Sequence, residues 1–281
     1  MEVLSVQGLC KRYATFALSE VGFAVRQGEI MGFIGRNGAG KTTTLKSLLN
    51  IVHPDAGVIR FFGLSFAEHE MEIKRRIGFV SGGMDQYMRK RLSTITSVTR
   101  SFYPSWDDDA YRGYLRRFAL DERKTPNQLS AGMRIKYSLS LALSHRAELL
   151  ILDEPTSGLD PVSRDELLDI FLALAREGVS ILFSTHITGD LDRCADGITY
   201  IREGRIFSSE PLETFVGKYR ALALTEDQLT DRVRDMAIGL KPAKHGYTAV
   251  ALAGDAQALG LPSNKADLET IMVHVEKEGQ A

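Results

Sequence analysis

The chain has 281 residues, 44% of them hydrophobic and 25% charged, with 35 Lys+Arg against 36 Asp+Glu and a formal net charge of −1. That length holds one large α/β domain plus a small appendage, or two modest domains, with enough apolar content for a proper core. The balanced charge argues against a dedicated nucleic-acid binder, whose affinity rests on a basic excess that neutralises phosphates. Cys10 and Cys194 lack the spacing of a zinc site or a disulfide framework and read as reduced, packed thiols.

Met1 to Gly8 alternates apolar and polar residues and lacks a signal-peptide layout. Antiparallel strands are expected around Val3–Gly8 and Ala17–Arg26, then a short apolar strand at Ile30–Ile34 and a helix over Gly40–Asn50. Val58–Phe62 fits another strand, and a charged helix ending near Arg76 leads into a buried strand at Ile77–Val80. From Met84 to Arg146 strand signals give way to helical stretches broken at Pro104 and Pro126, with charges such as Arg89, Lys90 and Arg116 on solvated faces. Continuous apolar runs return at Leu149–Leu152 and Ile181–Ser184, on either side of a helix over Ser163–Glu177, which is the pattern of a buried parallel sheet. Beyond about Tyr219 the pattern changes to that of a small α+β appendage. It has strands at Ala221–Leu224 and Thr248–Leu252 and an amphipathic helix at Asp267–Val275, with Leu268, Ile271, Met272 and Val275 on one face. No apolar run approaches the roughly 18–20 residues that span a bilayer, so a membrane process would need a partner to supply the spanning part.

The sharpest chemical feature is Gly35-Arg36-Asn37-Gly38-Ala39-Gly40-Lys41-Thr42, which fits G-x-x-x-x-G-K-[ST] in full, between a buried strand and a helix. Its glycines let backbone N–H groups and the helix N-terminus face phosphate oxygens. Lys41 would add a point charge at the β- and γ-phosphates and Thr42 a hydroxyl ligand for Mg²⁺, with Thr43 beside it. A second element is Leu149–Leu152 followed by Asp153 and Glu154, at the strand end where α/β sheets bind ligands. Asp153 is suited to hold Mg²⁺ through water and Glu154 to polarise the attacking water. Alone, an apolar strand ending in two carboxylates is more often a surface turn, and the phosphate loop upstream supplies its weight. A third element, Leu129-Ser130-Ala131-Gly132-Met133, opens the helical stretch Ala131–His145. By itself it reads as an N-cap serine, although a helix N-terminus is also an anion site.

In this order the chain resembles the nucleotide-binding subunits of ATP-binding cassette (ABC) transporters over roughly residues 1–218. Ser157-Gly158-Leu159-Asp160 is similar to the family's D-loop, Ser184-Thr185-His186 to its switch histidine, and Tyr13 to the aromatic residue that stacks on adenine. Two features depart from the pattern. The signature reads L-S-A-G-M where L-S-G-G-Q is common, and Gly82 stands where the family places its Q-loop glutamine, leaving Gln86 as the nearby candidate and Asp85 as its rival. The resemblance implies an α/β fold with a P-loop NTPase core, an antiparallel β-subdomain and an inserted helical subdomain near residues 84–146. Residues 219–281 would form a separate accessory domain.

It also implies ATP and Mg²⁺ as ligands, sandwiched between two head-to-tail subunits. Tyr13, Gly35, Asn37, Gly38, Ala39, Gly40, Lys41, Thr42, Thr43, Asp153, Gln86, Glu154 and His186 of one chain would face Ser130 and Gly132 of the other. Lys41, Glu154 and His186 would be the catalytic groups, and Thr42, Asp153 and Gln86 the metal contacts. The expected function is the motor ATPase of a membrane transporter, exporter-like because Arg134–Ser138 lacks the stretch usual in importer ATPases. It would sit on the inner face of the cell membrane through a separate permease, working with a second copy or a related ATPase subunit and without nucleic acid. The alternatives are a soluble ABC ATPase acting on nucleic acid or ribosomes, and a binding-only cassette.

Overall fold

The computed structural model describes residues 1–81 and 87–278 and divides into two compact units, Met1–Ser209 and Glu210–Ala281. In the larger unit β1 (Glu2–Arg12) and β2 (Ala17–Arg26) precede β3 (Ile30–Ile34), α1 (Lys41–Leu48), β4 (Ala56–Phe61), β5 (Leu64–Ser65), α2 (Phe66–Arg76) and β6 (Ile77–Ser81). Three helices follow, α3 (Leu92–Arg100), α4 (Asp108–Arg117) and α5 (Ala131–Ser144). Then come β7 (Leu149–Asp153), α6 (Pro161–Arg176), β8 (Ser180–Thr185), α7 (Thr188–Cys194), β9 (Gly197–Arg202) and β10 (Arg205–Pro211).

Two sheets carry this unit. An antiparallel one runs in the order β2-β1-β4-β5, and a six-stranded one in the order β10-β9-β3-β8-β7-β6. β3, β7 and β8 are buried at every position, which is why they read as unbroken apolar runs with no alternation. Each fully buried Leu or Ile there contributes about 1.5–3 kcal/mol relative to exposure. β1 and β2 alternate instead, because one face of that sheet packs on the core formed with α1, β3 and β7 and the other does not.

The parallel register aligns the carboxyl ends of the central strands. Ile34 pairs with Thr185, Ser184 with Asp153, and Asp153 with Ser81. The phosphate-loop candidate after Ile34, the carboxylates at Asp153 and Glu154, and His186 therefore leave the sheet at one edge. That edge is where open α/β sheets place ligands.

The three helices α3, α4 and α5 lie where helical structure is expected. Asp107 caps α4 by accepting from Asp109 N and Ala110 N, and Ser130 caps α5 by accepting from Met133 N. A buried hydroxyl cluster ties them together, with Thr96 Oγ1 2.6 Å from the Tyr111 hydroxyl and 2.8 Å from that of Tyr137. The adjoining strands differ from the sequence expectation in extent. β1 continues to Arg12 through register shifts, and β9 and β10 were not anticipated because their mixture of Thr, Tyr, Arg and Ser lacks a clear period.

In the smaller unit, α8 (Leu212–Gly217) leads into β11 (Tyr219–Leu224), α9 (Asp231–Met236), β12 (Ile238–Pro242), β13 (Tyr247–Leu252), α10 (Ala253–Leu259), β14 (Ser263–Lys265) and α11 (Leu268–Glu278). The four strands pair antiparallel in the order β12-β13-β11-β14, which makes β11 through β14 a split β-α-β unit of ferredoxin-like topology. Leu222, Leu224, Ala249 and Ala251 share a core with Val233 of α9 and Ala256 of α10. The apolar face of α11 is buried at Leu268, Ile271, Met272 and Val275, and the helix packs on β12, β13 and β11. The helix thus covers its own sheet, and that face is not left for a partner.

Candidate functional site

Gly35 to Gly40 fold into a tight loop for two local reasons. A Cβ at Gly35 would lie 2.3 Å from the Ile201 carbonyl oxygen, so only glycine allows that approach. Gly40 has φ 115 and is the N-cap of α1, a conformation that L side chains rarely adopt. With no capping side chain at Gly40, the first N–H groups of α1 keep their donors directed out of the helix end.

Lys41 is 5% exposed, and its ammonium donates to the carbonyls of Gly35 at 2.7 Å and Arg36 at 3.3 Å. It also lies 3.3 Å from Glu154 Oε1. The other carboxylate oxygen of Glu154 is 2.8 Å from His186 Nδ1. Glu154 therefore sits between the loop lysine and the strand-end histidine.

Its backbone is held in the left-handed region at φ 51, which costs about 1 kcal/mol or more for a residue with a side chain. The Glu154 N–H is fastened there by Ser184, whose hydroxyl accepts at 3.0 Å and whose carbonyl accepts at 3.2 Å. Strain of this kind turns the side chain out of the strand direction and toward Lys41.

Beneath it, Asp153 is buried and accepts at Oδ1 from the Ser184 hydroxyl at 2.7 Å and the Thr42 hydroxyl at 3.1 Å. The Thr42–Asp153 pair is a hard-oxygen donor set of the kind Mg²⁺ takes through one carboxylate, a hydroxyl and waters.

These groups face a cleft of about 680 Å³, in the range of small-molecule sites. Its walls include Asn37, Gly38, Gly40, Lys41, Thr42, Thr43, Glu154 and His186, together with Thr15, Phe16, Arg36 and Ser157. The chain is thereby seen to bring most of the expected residues into one place. Gly35 reaches the site through its carbonyl on Lys41, and Ala39 is buried in the loop behind it.

Among the described residues, Gly35, Ala39 and Asp153 lie behind the cleft walls, and Tyr13, Ser130 and Gly132 also stand outside them. Tyr13 is 45% exposed on the β1–β2 connection, with Lys11 Nζ 5.8 Å from its ring centroid, whereas Phe16 on the same connection enters the cleft. Ser130 is exposed at the start of α5, and Gly132 is buried near Ser163 and Leu159, at the start of α6 and in the segment leading to it. Gln86 and its rival Asp85 lie outside the described residues. Sequence reasoning missed Thr15 and Phe16, although Phe16 is the next aromatic after Tyr13. It also missed the hydrogen bonds by which Ser184 donates to the Asp153 carboxylate and accepts from the Glu154 N–H, for which the apolar run ending at Ser184 carries no signal.

A family model described as ABC transporter matches residues 18–157. The bacitracin transport ATP-binding protein BcrA of Bacillus licheniformis is 32% identical over 234 residues, covering 82% of this chain and 76% of that protein. This chain belongs to the ABC transporter ATP-binding family. The Nod factor export ATP-binding protein I of Burkholderia orbicola is 35% identical over 204 residues, covering 69% of this chain and 66% of its own. A solved structure of an ATP-binding subunit of an ABC transporter superposes with a TM-score of 0.68 at 28% identity, over 75% of this chain and 91% of that one. The chain is accordingly an ATP-binding cassette and an ATPase. No helix among the described residues is long and apolar enough to cross a membrane.

Proposed function

We propose that this cassette is the motor of an exporter, working as a head-to-tail pair bound to a separate membrane permease. The observation that carries the reading is the placement of Lys41, Thr42, Glu154 and His186 around one cleft, with Asp153 directly below. The relative named for bacitracin transport supports a transport role, and the one named for Nod factor export supports the outward direction.

In the proposed mechanism the loop N–H groups and Lys41 hold the phosphates of ATP. Thr42 and Asp153 would hold Mg²⁺, which when bound neutralises charge on the β- and γ-phosphate oxygens. Glu154 orients the attacking water and accepts its proton, and His186, against the other oxygen of that carboxylate, fixes its direction. Ser130 and Gly132 serve the γ-phosphate of the opposed subunit through the N-terminus of α5. The larger compact unit, Met1–Ser209, is the ATP-binding domain, its end somewhat before the boundary near 218 expected from sequence, and the smaller unit is an accessory domain.

Glu154→Gln tests the reading. It keeps ATP affinity and slows turnover by about 10²–10⁴-fold, the usual worth of a general base, with an ATP-bound dimer accumulating on size exclusion. Lys41→Ala loses ATP binding. Wild-type turnover in Glu154→Gln would assign the base to another group.

A further inference from the structure

Asp190 is fully buried in the first turns of α7, outside the cleft walls, yet it is bonded to three segments that carry the site. Its Oδ2 accepts from the Thr156 hydroxyl at 2.5 Å and from the Thr185 hydroxyl at 3.4 Å. Its Oδ1 accepts from Arg164 Nε, in an ion pair with a guanidinium that is itself 29% exposed. Thr156 and Thr185 are both buried. Thr156 follows Glu154 by one intervening residue, Thr185 immediately precedes His186, and Arg164 lies in the turn of α6 opened by Asp160, whose carbonyl accepts the Arg164 N–H at 3.0 Å.

A buried ion pair is weak evidence for stability, because desolvating two charges offsets most of their attraction. What it does provide is geometry: a carboxylate with three donors in fixed directions admits one arrangement of the groups that bear them. Here those groups are the backbone after Glu154, the backbone before His186 and the start of α6. None of the three reaches the cleft through its own polar atoms.

We propose that Asp190, clamped by Arg164, is a positioning residue that holds Glu154 and His186 in register. Loss of the clamp slows hydrolysis while leaving nucleotide affinity in place, since Thr156, Thr185 and Arg164, which Asp190 binds, all lie outside the phosphate loop Gly35–Thr42. The inference rests on the assignment of Glu154 and His186 made above. Displacements of about 1 Å caused by a change away from the reacting atoms lower rates by about 10²-fold.

The test is single-turnover hydrolysis by the full chain with Mg-ATP, measured beside equilibrium ATP affinity, for Asp190→Asn, Thr156→Val, His186→Ala, Glu154→Gln and the double variant Asp190→Asn/His186→Ala. Asp190→Asn is expected to lower the rate constant by about 10²-fold with the Kd for ATP within twofold of wild type. The double variant is expected to be slower than His186→Ala, through the displaced Glu154, but by clearly less than the loss in Asp190→Asn alone, because groups acting through one another are not additive. Thr156→Val removes one donor and keeps the ion pair; it is expected to show the same split at about a tenth of the effect, and decides the matter if Asp190→Asn does not fold. A wild-type rate in a folded Asp190→Asn, a parallel loss of rate and affinity, or losses that multiply in the double variant would each overturn the proposal. If Glu154→Gln and His186→Ala themselves hydrolyse normally, the catalytic assignment fails instead.

Discussion

His145 ends α5 with its ring 3% exposed, stacked on Tyr103 at a centroid distance of 3.8 Å and an interplanar angle of 8°, with Nδ1 3.2 Å from the Arg75 carbonyl oxygen. Burial pushes its pKa down to about 4, against the hydrogen bond to Arg75, which raises it. In the unfolded chain the imidazole titrates near 6.5, so the native state binds fewer protons across that interval. Stability is therefore complete above the unfolded value and falls as pH drops from about 6.5 toward 4. Between pH 7 and pH 5 the linkage relation gives a loss of about 2 kcal/mol from this one group. His145→Phe keeps the stack, removes the titration and leaves the Arg75 carbonyl without its donor at a cost of about 1 kcal/mol. Urea unfolding followed by tryptophan emission is well placed to read this. Trp106 is the sole tryptophan, and the adjacent Ser105 hydroxyl donates to the His145 carbonyl at 3.0 Å. The expected result is that wild type loses about 2 kcal/mol more than His145→Phe on going from pH 7 to pH 5, carboxylates common to both cancelling. Equal losses would refute a neutral buried imidazole here.

Two other expectations concern the base and the smaller unit. Phe16→Ala weakens ATP binding by about tenfold, the lower part of the 1–3 kcal/mol that one base–aromatic stack contributes, and Tyr13→Ala weakens it less; titration of each variant with nucleotide decides, and the reverse order would give the adenine contact to Tyr13. Ile271→Asp places a carboxylate in a fully buried position of α11 and destabilises the smaller unit by more than about 4 kcal/mol. Limited proteolysis should then remove residues beyond Ser209 while ATP affinity persists, because Lys41 and Thr42 lie in the unit with its own core; loss of nucleotide binding in a still-folded larger unit would count against that independence.

The central strands were legible because burial on both faces leaves only apolar residues at Ile30–Ile34, Leu149–Leu152 and Ile181–Phe183, in runs short enough for strands. β9 escaped notice for the opposite reason. Thr199 and Tyr200 are fully buried within it, and the Thr199 hydroxyl is satisfied 2.9 Å from Ser209 Oγ, a tertiary partner no local pattern announces. α9, α10, β12 and β14 span seven residues or fewer, too short for a period to emerge. The phosphate loop and Asp153-Glu154 declared themselves by spacing, since their backbone demands are local. Phe16 in place of Tyr13 at the cleft depends on how the β1–β2 connection closes, with Tyr13 N–H donating to the Phe16 carbonyl at 2.8 Å. Asp190 is invisible in sequence because its three partners come from three separate segments.

On the proposed assignment, binding and chemistry share one cation. The Lys41 ammonium has three donors, and in this structure they meet the carbonyls of Gly35 and Arg36 and the Glu154 carboxylate. The β- and γ-phosphate oxygens of ATP are stronger claimants for that charge than a carbonyl is, so the arriving nucleotide competes directly for the partner that holds Glu154. A carboxylate released from Lys41 retains His186 at its other oxygen and has its freed oxygen open to the attacking water. Its backbone cannot follow the side chain, being fixed at φ 51 by the two Ser184 bonds. The exchange of Lys41 from carboxylate to phosphate therefore frees the base at the moment substrate is in place and leaves its position unchanged.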